Sequence, residues 1–513
     1  MKKYLLLLIT GLSVSVAQSQ EISDALRYGQ DNTIGTARYR AMSGAFGALG
    51  GDLSSINSNP AGSVIFSNNQ FAATLNNYST RNNNNYFGTK TTKDINSIDL
   101  NQAGAVFIFD DNHANSDWKK FAVSLNYENA NNFDNNLFST GVNQNSIANY
   151  FGSYANANGG VLLNNLETLP GETISDLYSY LGTNSNLGYG AQQAFLGYQA
   201  YIINPVDDTN INNSIYYSNI TGGNYKQQEV FSSKGYNGKL SFNGAAQYQD
   251  WLSIGMNLNS HFTDYKQSTI FSENNNSTTG VRSVQFSNDI YTYGTGFSFQ
   301  VGAIVKATKE VRFGLAYESP TWYKLNDETT QSISSSGYNY GNPANPALSS
   351  VTVNPNITNV YDPYALQTPG KWTGSLAYVF GKHGLLSVDY LLKDYSNTKF
   401  GPKDQFTGIN NEMSNTLELV SEVRVGGEYK IKQWSLRAGY KYEQSPYLKK
   451  YKMSDLNGYS GGLGYNFGNT KLDLAYSYAK RNNAHQFFSQ GLTDYSSNIA
   501  IKNNVTMTLA FEL

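Results

Sequence analysis

The sequence predicts an all-β protein, a transmembrane antiparallel β-barrel of about 14 strands, and three observations carry that expectation. Charged residues make up 14% of the 513 positions, against ~25% in an ordinary soluble domain, too few to clothe a water-facing surface of this size. Aromatic residues equal them at 14%, with 40 Tyr and 26 Phe. Apolar and small or polar residues then alternate with a period of two along most of the chain. A soluble β-sandwich also alternates. Here, however, the polar faces are mostly Gly, Ser, Asn and Ala, and the strand ends carry Tyr, Trp and Phe in the manner of an aromatic girdle.

The elements follow in order. Met1-Lys2-Lys3 is a basic start, Tyr4–Val16 an apolar run, and Ser15, Ala17 and Ser19 are small. Residues 1–19 therefore read as a secretory signal peptide, too short to be a spanning helix. Residues 20–69 form a separate N-terminal unit, beginning with a short helical pattern at Ile22–Arg27. A Gly-rich stretch with Gly44, Gly47, Gly50 and Gly51 follows, then Asn59-Pro60-Ala61-Gly62. The glycine spacing is not that of a dinucleotide-binding loop. Small residues here suit tight packing in a confined space, and Pro60 stops any helix.

From residue 70 to 513 the alternation gives strands near 70–80, 96–109, 118–130, 234–248, 250–270, 281–307, 309–330, 370–381, 384–397, 416–431, 433–446, 452–467, 470–483 and 500–513. The last is the cleanest: Val505, Met507, Leu509, Phe511 and Leu513 oppose Asn504, Thr506, Thr508, Ala510 and Glu512. An even number suits a single-chain bacterial barrel, and dividing residues 226–247 differently would give about 16. Residues 131–233 break the rhythm and form the longest insertion. Within it Ile174, Leu177, Tyr178 and Leu181 follow helical spacing, as do Phe195, Tyr198 and Ile202, so two amphipathic helices are expected in an outward-facing loop. Asn-rich tracts at 82–85, 274–276 and 341–357 read as loop tips.

Several chemistries are set aside. No Cys excludes disulfides, thiolate metal sites and Fe–S clusters. A balance of 36 basic against 38 acidic residues gives no nucleic-acid footprint. The four histidines, His113, His261, His383 and His485, are scattered, and only His261 falls on an inner strand face. No enzyme, metal or cofactor is expected. Asp389, Glu422, Arg424, Glu428, Arg437, Lys441, Lys471 and Asp473 lie on polar strand faces and read chiefly as paired, wall-bracing charges. Arg424, Arg437 and Lys441 are also candidate contacts for an anionic head group.

The run Gly35-Thr36-Ala37-Arg38-Tyr39-Arg40-Ala41-Met42-Ser43-Gly44-Ala45-Phe46-Gly47-Ala48-Leu49-Gly50-Gly51-Asp52, followed by Asn59-Pro60-Ala61-Gly62, resembles the long-chain fatty acid transporter (FadL/TodX) family of outer-membrane proteins. Its Asn/Tyr-rich style is similar to members from the Bacteroidetes. The resemblance implies an N-terminal hatch plugging a 14-stranded barrel in the Gram-negative outer membrane. It further implies passive, hatch-gated transport of hydrophobic compounds such as fatty acids. Gating would then involve Gly44, Gly47, Gly50, Asn59, Pro60, Ala61 and Gly62. Substrate capture would fall to the loop helices through Leu177, Tyr178, Leu181, Phe195, Tyr198 and Ile202. The expected partners are hydrophobic small molecules, membrane lipid and the barrel-insertion machinery, with the chain acting as a monomer. A receptor for haemin or another ligand, or a secretion-associated scaffold, is the alternative.

Overall fold

The fourteen strands of the barrel are β1 (Gln70–Tyr86), β2 (Thr89–Asp110), β3 (Trp118–Asn132), β4 (Tyr225–Tyr248), β5 (Leu252–Asn274), β6 (Gly280–Lys306), β7 (Val311–Glu318), β8 (Lys371–Val379), β9 (Gly384–Asp394), β10 (Leu419–Ile431), β11 (Trp434–Glu443), β12 (Leu456–Asn466), β13 (Thr470–Gln486) and β14 (Tyr495–Glu512). Each is antiparallel to the next, and β14 returns to β1 from Gln70↔Glu512 to Asn85↔Ser497. Closure pairs the edges that an open sheet would leave exposed. The computed structural model describes residues 20–513 apart from 112, 114, 115 and 339–347. The expected signal peptide at 1–19 and part of the Asn-rich tract at 341–357 lie outside the described residues.

The alternation has the sense of a membrane barrel. In β3, Phe121, Val123 and Leu125 are 41%, 55% and 45% exposed, whereas Ala122, Ser124 and Asn126 are 1%, 3% and 1%. The apolar face is therefore outside, the reverse of a sandwich. Tryptophans mark two levels of this surface. Trp118, Trp251 and Trp434 sit beside short turns at one end. Trp322 and Trp372 are also outward-facing, and Trp322 lies opposite Phe297, while Leu252, next to Trp251, lies opposite Val305. That separation along β6 approaches the ~9–11 residues of a tilted bilayer crossing. Among the described residues no helix is long and apolar enough to span a membrane.

Several boundaries differ from the sequence reading. The strand drawn at 309–330 is interrupted at Ser319–Thr321. β7 keeps its place in the wall, and Trp322–Tyr338 continues along the upper part of β6 above the β7–β8 ladder. β4 starts at Tyr225, and its first nine residues pair with Asn135–Asn143, so the residues assigned to the end of the insertion are strand. Asn82–Asn85 is no loop tip. It lies within β1, where Asn82 donates to Asn135 Oδ1 (2.7 Å) and Asn84 to the Phe138 carbonyl (3.0 Å). Inward amide side chains tolerate a strand when a neighbouring chain supplies acceptors.

The insertion folds over the long-loop end. It contains α3 (Ala148–Ala155), α4 (Ile174–Thr183) and α5 (Gly188–Gln199). Their apolar faces converge on Phe271 of β5, Val281, Val284 and Phe286 of β6, and Leu492 between β13 and β14. Thr173 caps α4, accepting from Asp176 N, while the Asp176 carboxylate accepts from Thr173 N and Oγ1.

Candidate functional site: the filled lumen and the cavity above it

Residues 22–66 lie inside the barrel. Their regular elements are short: α1 (Ile22–Gly29), α2 (Ala37–Ala41) and two 3₁₀ segments, Leu53–Asn57 and Pro60–Ile65. Chain this compact requires left-handed backbone at Gly44 (φ +78°) and Gly50 (φ +64°), where a side chain would be strained. The wall makes room with its own glycines. A Cβ at Gly302 would collide with Asn59, and one at Gly314 with the Gly47 carbonyl. Small residues on the lumenal strand faces are the imprint of this segment.

Polar bonds fasten it to the wall. Asn59 donates through Nδ2 to the carbonyls of Gly47 (2.8 Å) and Ala303 (2.9 Å), while its Oδ1 accepts from Ala61 N (3.1 Å) and caps the Pro60–Ile65 turn. The Pro60 carbonyl accepts from Asn243 (2.9 Å) and the Ile56 carbonyl from Asn257 (2.8 Å). Gly62 O accepts from Gly51 N (3.0 Å), clasping the two glycine stretches. The Asp389 carboxylate accepts from the amides of Phe46 and Gly47, each at 3.0 Å. Arg38 reaches Glu428 at 2.9 Å, and Asp31 is held between Lys371 (2.9 Å) and Lys393 (3.0 Å).

The three basic residues considered for head-group contact are already engaged. Arg424 pairs with Glu422 (2.5 Å). Arg437 pairs with Glu428 (2.7 Å) and Asp473 (2.5 Å), and Lys441 with Glu422 and Glu443 (3.0 Å each). Their charges are balanced by wall carboxylates, the arrangement that braces a low-dielectric lumen.

The helical residues considered for capture are likewise committed. Tyr178, Leu181, Phe195 and Ile202 are 0% exposed, and Leu177 is 4%. They form the insertion's core instead of presenting a landing surface, because an amphipathic stripe signals burial against whatever lies nearest. Ile202 lies beyond the end of α5. Tyr198 is half-buried, with its hydroxyl donating to Glu167 (3.1 Å).

Between the insertion and the lumenal segment lies a cavity of about 1110 Å³. Its upper walls are aromatic, with Tyr150, Tyr154, Phe286, Phe487 and Phe488. The Tyr150 and Phe488 ring centres are 4.5 Å apart. Its floor is polar and includes Arg40, Ser43, Ser460, Ser477 and Lys502. Below it, a pocket of about 100 Å³ lies between the segment and the wall near Tyr28, Asn57 and His261. Sequence reasoning missed these lining residues. The adjacent Phe487-Phe488 in a loop otherwise rich in Ser, Gly and Gln was the available signal. His485 lines the cavity with Nε2 2.6 Å from Glu229. His261, on the inner face as expected, contacts Ser298 (2.9 Å) and Tyr323 (3.3 Å). Among the described residues no cluster of three or more His, Asp or Glu is arranged to hold a metal ion.

A closed, lipid-facing barrel whose lumen is filled by its own N-terminal residues beneath an aromatic chamber defines a class: outer-membrane β-barrel channels. The model of the outer membrane protein transport protein family (OMPP1/FadL/TodX) matches residues 209–508, more than half of the chain, and the chain belongs to that family. It is therefore an outer-membrane transport protein. The match falls on the barrel and not on the N-terminal motif from which the resemblance is first visible. A FadL homologue of Pseudomonas aeruginosa superposes with a TM-score of 0.52 at 12% identity, covering 94% of this chain and 99% of that one. The toluene transporter TodX of Pseudomonas putida gives 0.47 at 13% identity, over 94% and 100%. The former likeness shows a shared fold. No curated protein matches the chain.

Proposed function

We propose that the barrel carries hydrophobic small molecules, in the first place long-chain fatty acids, passively across the outer membrane. Residues 20–69 act as its hatch. The observation that carries this reading is the aromatic-walled cavity of about 1110 Å³ resting directly on the segment that fills the lumen. Burial of each CH₂ there contributes about 0.8 kcal/mol, enough for capture without a reaction. Onward movement requires the segment to shift. Beyond α1, whose Ile22, Leu26 and Tyr28 pack against Tyr265, Tyr323 and Leu325, many of its links to the wall are hydrogen bonds and ion pairs, each replaceable by water at small net cost once the lumen is wet. Asn59 is the central link, since one side chain joins the Gly47 carbonyl, the Ala303 carbonyl and the Ala61 amide. In this reading the insertion roofs the cavity, and substrate meets the inner aromatic faces, not the outer helix surface.

Flux of oleate into liposomes containing the purified protein tests the proposal. Faster uptake than in protein-free liposomes is expected, with a further change for Asn59→Ala. Uptake indistinguishable from protein-free liposomes overturns it. Retention of a protein partner through detergent extraction, without flux, would favour a scaffold role.

A further inference from the structure

The short turns of an outer-membrane barrel face the periplasm, and at that end of this barrel charge is divided by arc. Three consecutive short turns lie at 307–310 between β6 and β7, 380–383 between β8 and β9, and 432–433 between β10 and β11. They carry Lys309, Lys382 and Lys432, all exposed. Just inside them, Lys306, Arg312 and Lys430 stand on lumenal strand faces. Lys306 shares its face with Gly302 and Arg312 with Gly314, the glycines that make room for the lumenal segment. Lys430 shares its face with Glu428, which Arg38 reaches from inside. The carboxylates of this arc are Glu310, which accepts from the Thr308 hydroxyl at 3.0 Å, and Glu428, buried between Arg38 and Arg437. The other arc, from β13 round to β5, carries Asp110, Asp111, Asp117, Asp250 and Glu512 against Lys119, Lys120 and Lys471.

The cations of the basic arc are largely unspent. Lys430 lies 3.7 Å from Glu428, and the other five form no ion pair among the described residues. Lys306 lies in the field of Arg312 and Lys120, with Asp250 of the adjacent turn the opposing carboxylate. Arg312 donates through Nη1 to the Leu49 carbonyl of the lumenal segment at 3.2 Å, and its buried Nε has no acceptor. Like charges on neighbouring turns repel, and nothing in the strand pairing requires them to gather on one side of the rim. An acidic surface brought against the arc turns that repulsion into attraction, and the acidic arc opposite fixes its orientation.

We propose that this basic arc of the periplasmic rim is a docking surface for a soluble periplasmic protein with an acidic face, seated over the mouth of the barrel. Anionic phospholipid around the barrel meets the three turn lysines from the side. It does not meet Lys306 and Arg312, which face the mouth, whereas a partner seated over the mouth meets both sets. A carboxylate of that partner at the free Nε of Arg312 stands beside the bond that Arg312 makes to Leu49, so docking reaches the lumenal segment from below. The docking does not depend on which molecule the barrel carries.

The test is binding of a fluorescent oligoglutamate peptide to the full chain in phosphatidylcholine nanodiscs. Wild type is compared with the triple variant Lys309→Gln, Lys382→Gln and Lys432→Gln, whose positions are exposed turn residues, and heat-modifiable migration checks the fold. Wild type is expected to bind, less tightly as salt rises. The triple variant is expected to bind about tenfold more weakly, each exposed pairing contributing a factor of about two. Asp117→Asn with Asp250→Asn, on the other arc, should not weaken binding. Failure of wild type to bind the peptide, or equal binding by the folded triple variant, overturns the docking surface. Equal weakening by the substitutions on the acidic arc overturns the assignment to the basic one. A triple variant that binds the peptide as wild type does and loses only its retention of phosphatidylglycerol assigns the lysines to lipid and overturns the proposal. No flux enters these measurements, so they stand or fall separately from the transport reading.

Discussion

Residues 22–66 fill the barrel from within, residues 144–224 cover it from above, and different forces hold the two. The covering insertion has a continuous apolar core in which Phe151, Tyr178, Phe195 and Ile202 are 0% exposed. The lumenal segment is mixed: α1 packs Ile22, Leu26 and Tyr28 into an apolar cluster with Tyr265, Tyr323 and Leu325, smaller apolar clusters gather around Phe46 and Leu53, and from Asp31 to Gly62 many of its contacts with the wall are amide, hydroxyl and charge. Apolar burial resists rearrangement, because each opened contact exposes surface to water. Polar links exchange with water at little net cost when the site is hydrated. The roof is therefore the fixed part and the filling beyond α1 the part able to yield, which is the division a gated channel needs.

That comparison can be broken. The largest effect is expected from Phe195→Ala, about 3–5 kcal/mol of local stability from the lost burial and the cavity left behind. Hydrogen exchange of α3–α5 should rise while that of the lumenal segment stays as it was. Exchange rising equally in both regions would mean that they are one cooperative unit. Next comes Glu428→Gln, which leaves Arg38 without its carboxylate and Arg437 with Asp473 alone. Breaking such a buried pair costs about 3–5 kcal/mol at most, less where lumen water reaches the site. Proteolytic susceptibility of residues 22–66 should increase with the roof unaffected.

Asn59→Ala removes the donor contact to the Ala303 carbonyl of the wall, the one to the Gly47 carbonyl within the segment, and the turn cap, an expected loss of about 1–3 kcal/mol in the segment alone. Exchange at Ala61 and Gly62 reads it. The smallest effect is at the start of α4. Thr173→Ala should cost that helix about 1 kcal/mol. Its partner Asp176 is held below the usual carboxylate value of 3.8, chiefly by the hydrogen bond from the Thr173 hydroxyl and then by that from its amide. A lowered folded value stabilises the helix at pH above 3.8, and that contribution is lost as the pH falls through the lower folded value. Exchange of the first turn of α4 below pH 4 should therefore rise in wild type and change less in Thr173→Ala.

The barrel was legible in the sequence because a period of two is a local signal: Phe121-Ala122-Val123-Ser124 reads as two faces without knowledge of the neighbours. Boundaries failed where pairing partners decide. Asn82–Asn85 has loop composition, yet Asn135–Asn143 supplies acceptors that keep it extended. The break at Ser319–Thr321 is invisible to alternation. Helix spacing locates α4 and α5, but spacing cannot say what an apolar face packs against: it leaves Tyr178 and Phe195 open to a capture surface, and they lie in a core.

Charge shows the same limit most sharply. The sequence by itself determined the class: few charges, many aromatics and alternation suffice to place strands in a membrane, because lipid contact constrains every second residue. The Gly-rich run and Asn59-Pro60-Ala61-Gly62 added the expectation of an internal segment. Only the tertiary structure decided which charges are balanced. Arg38 and Arg40 are near neighbours of one residue type, and strands hundreds of positions away bring Glu428 to the first and Ser477 to the second, beside the Tyr78 ring of β1. Pairing across a closed barrel depends on register and on which strand faces which part of the lumen, and neither is written in local sequence.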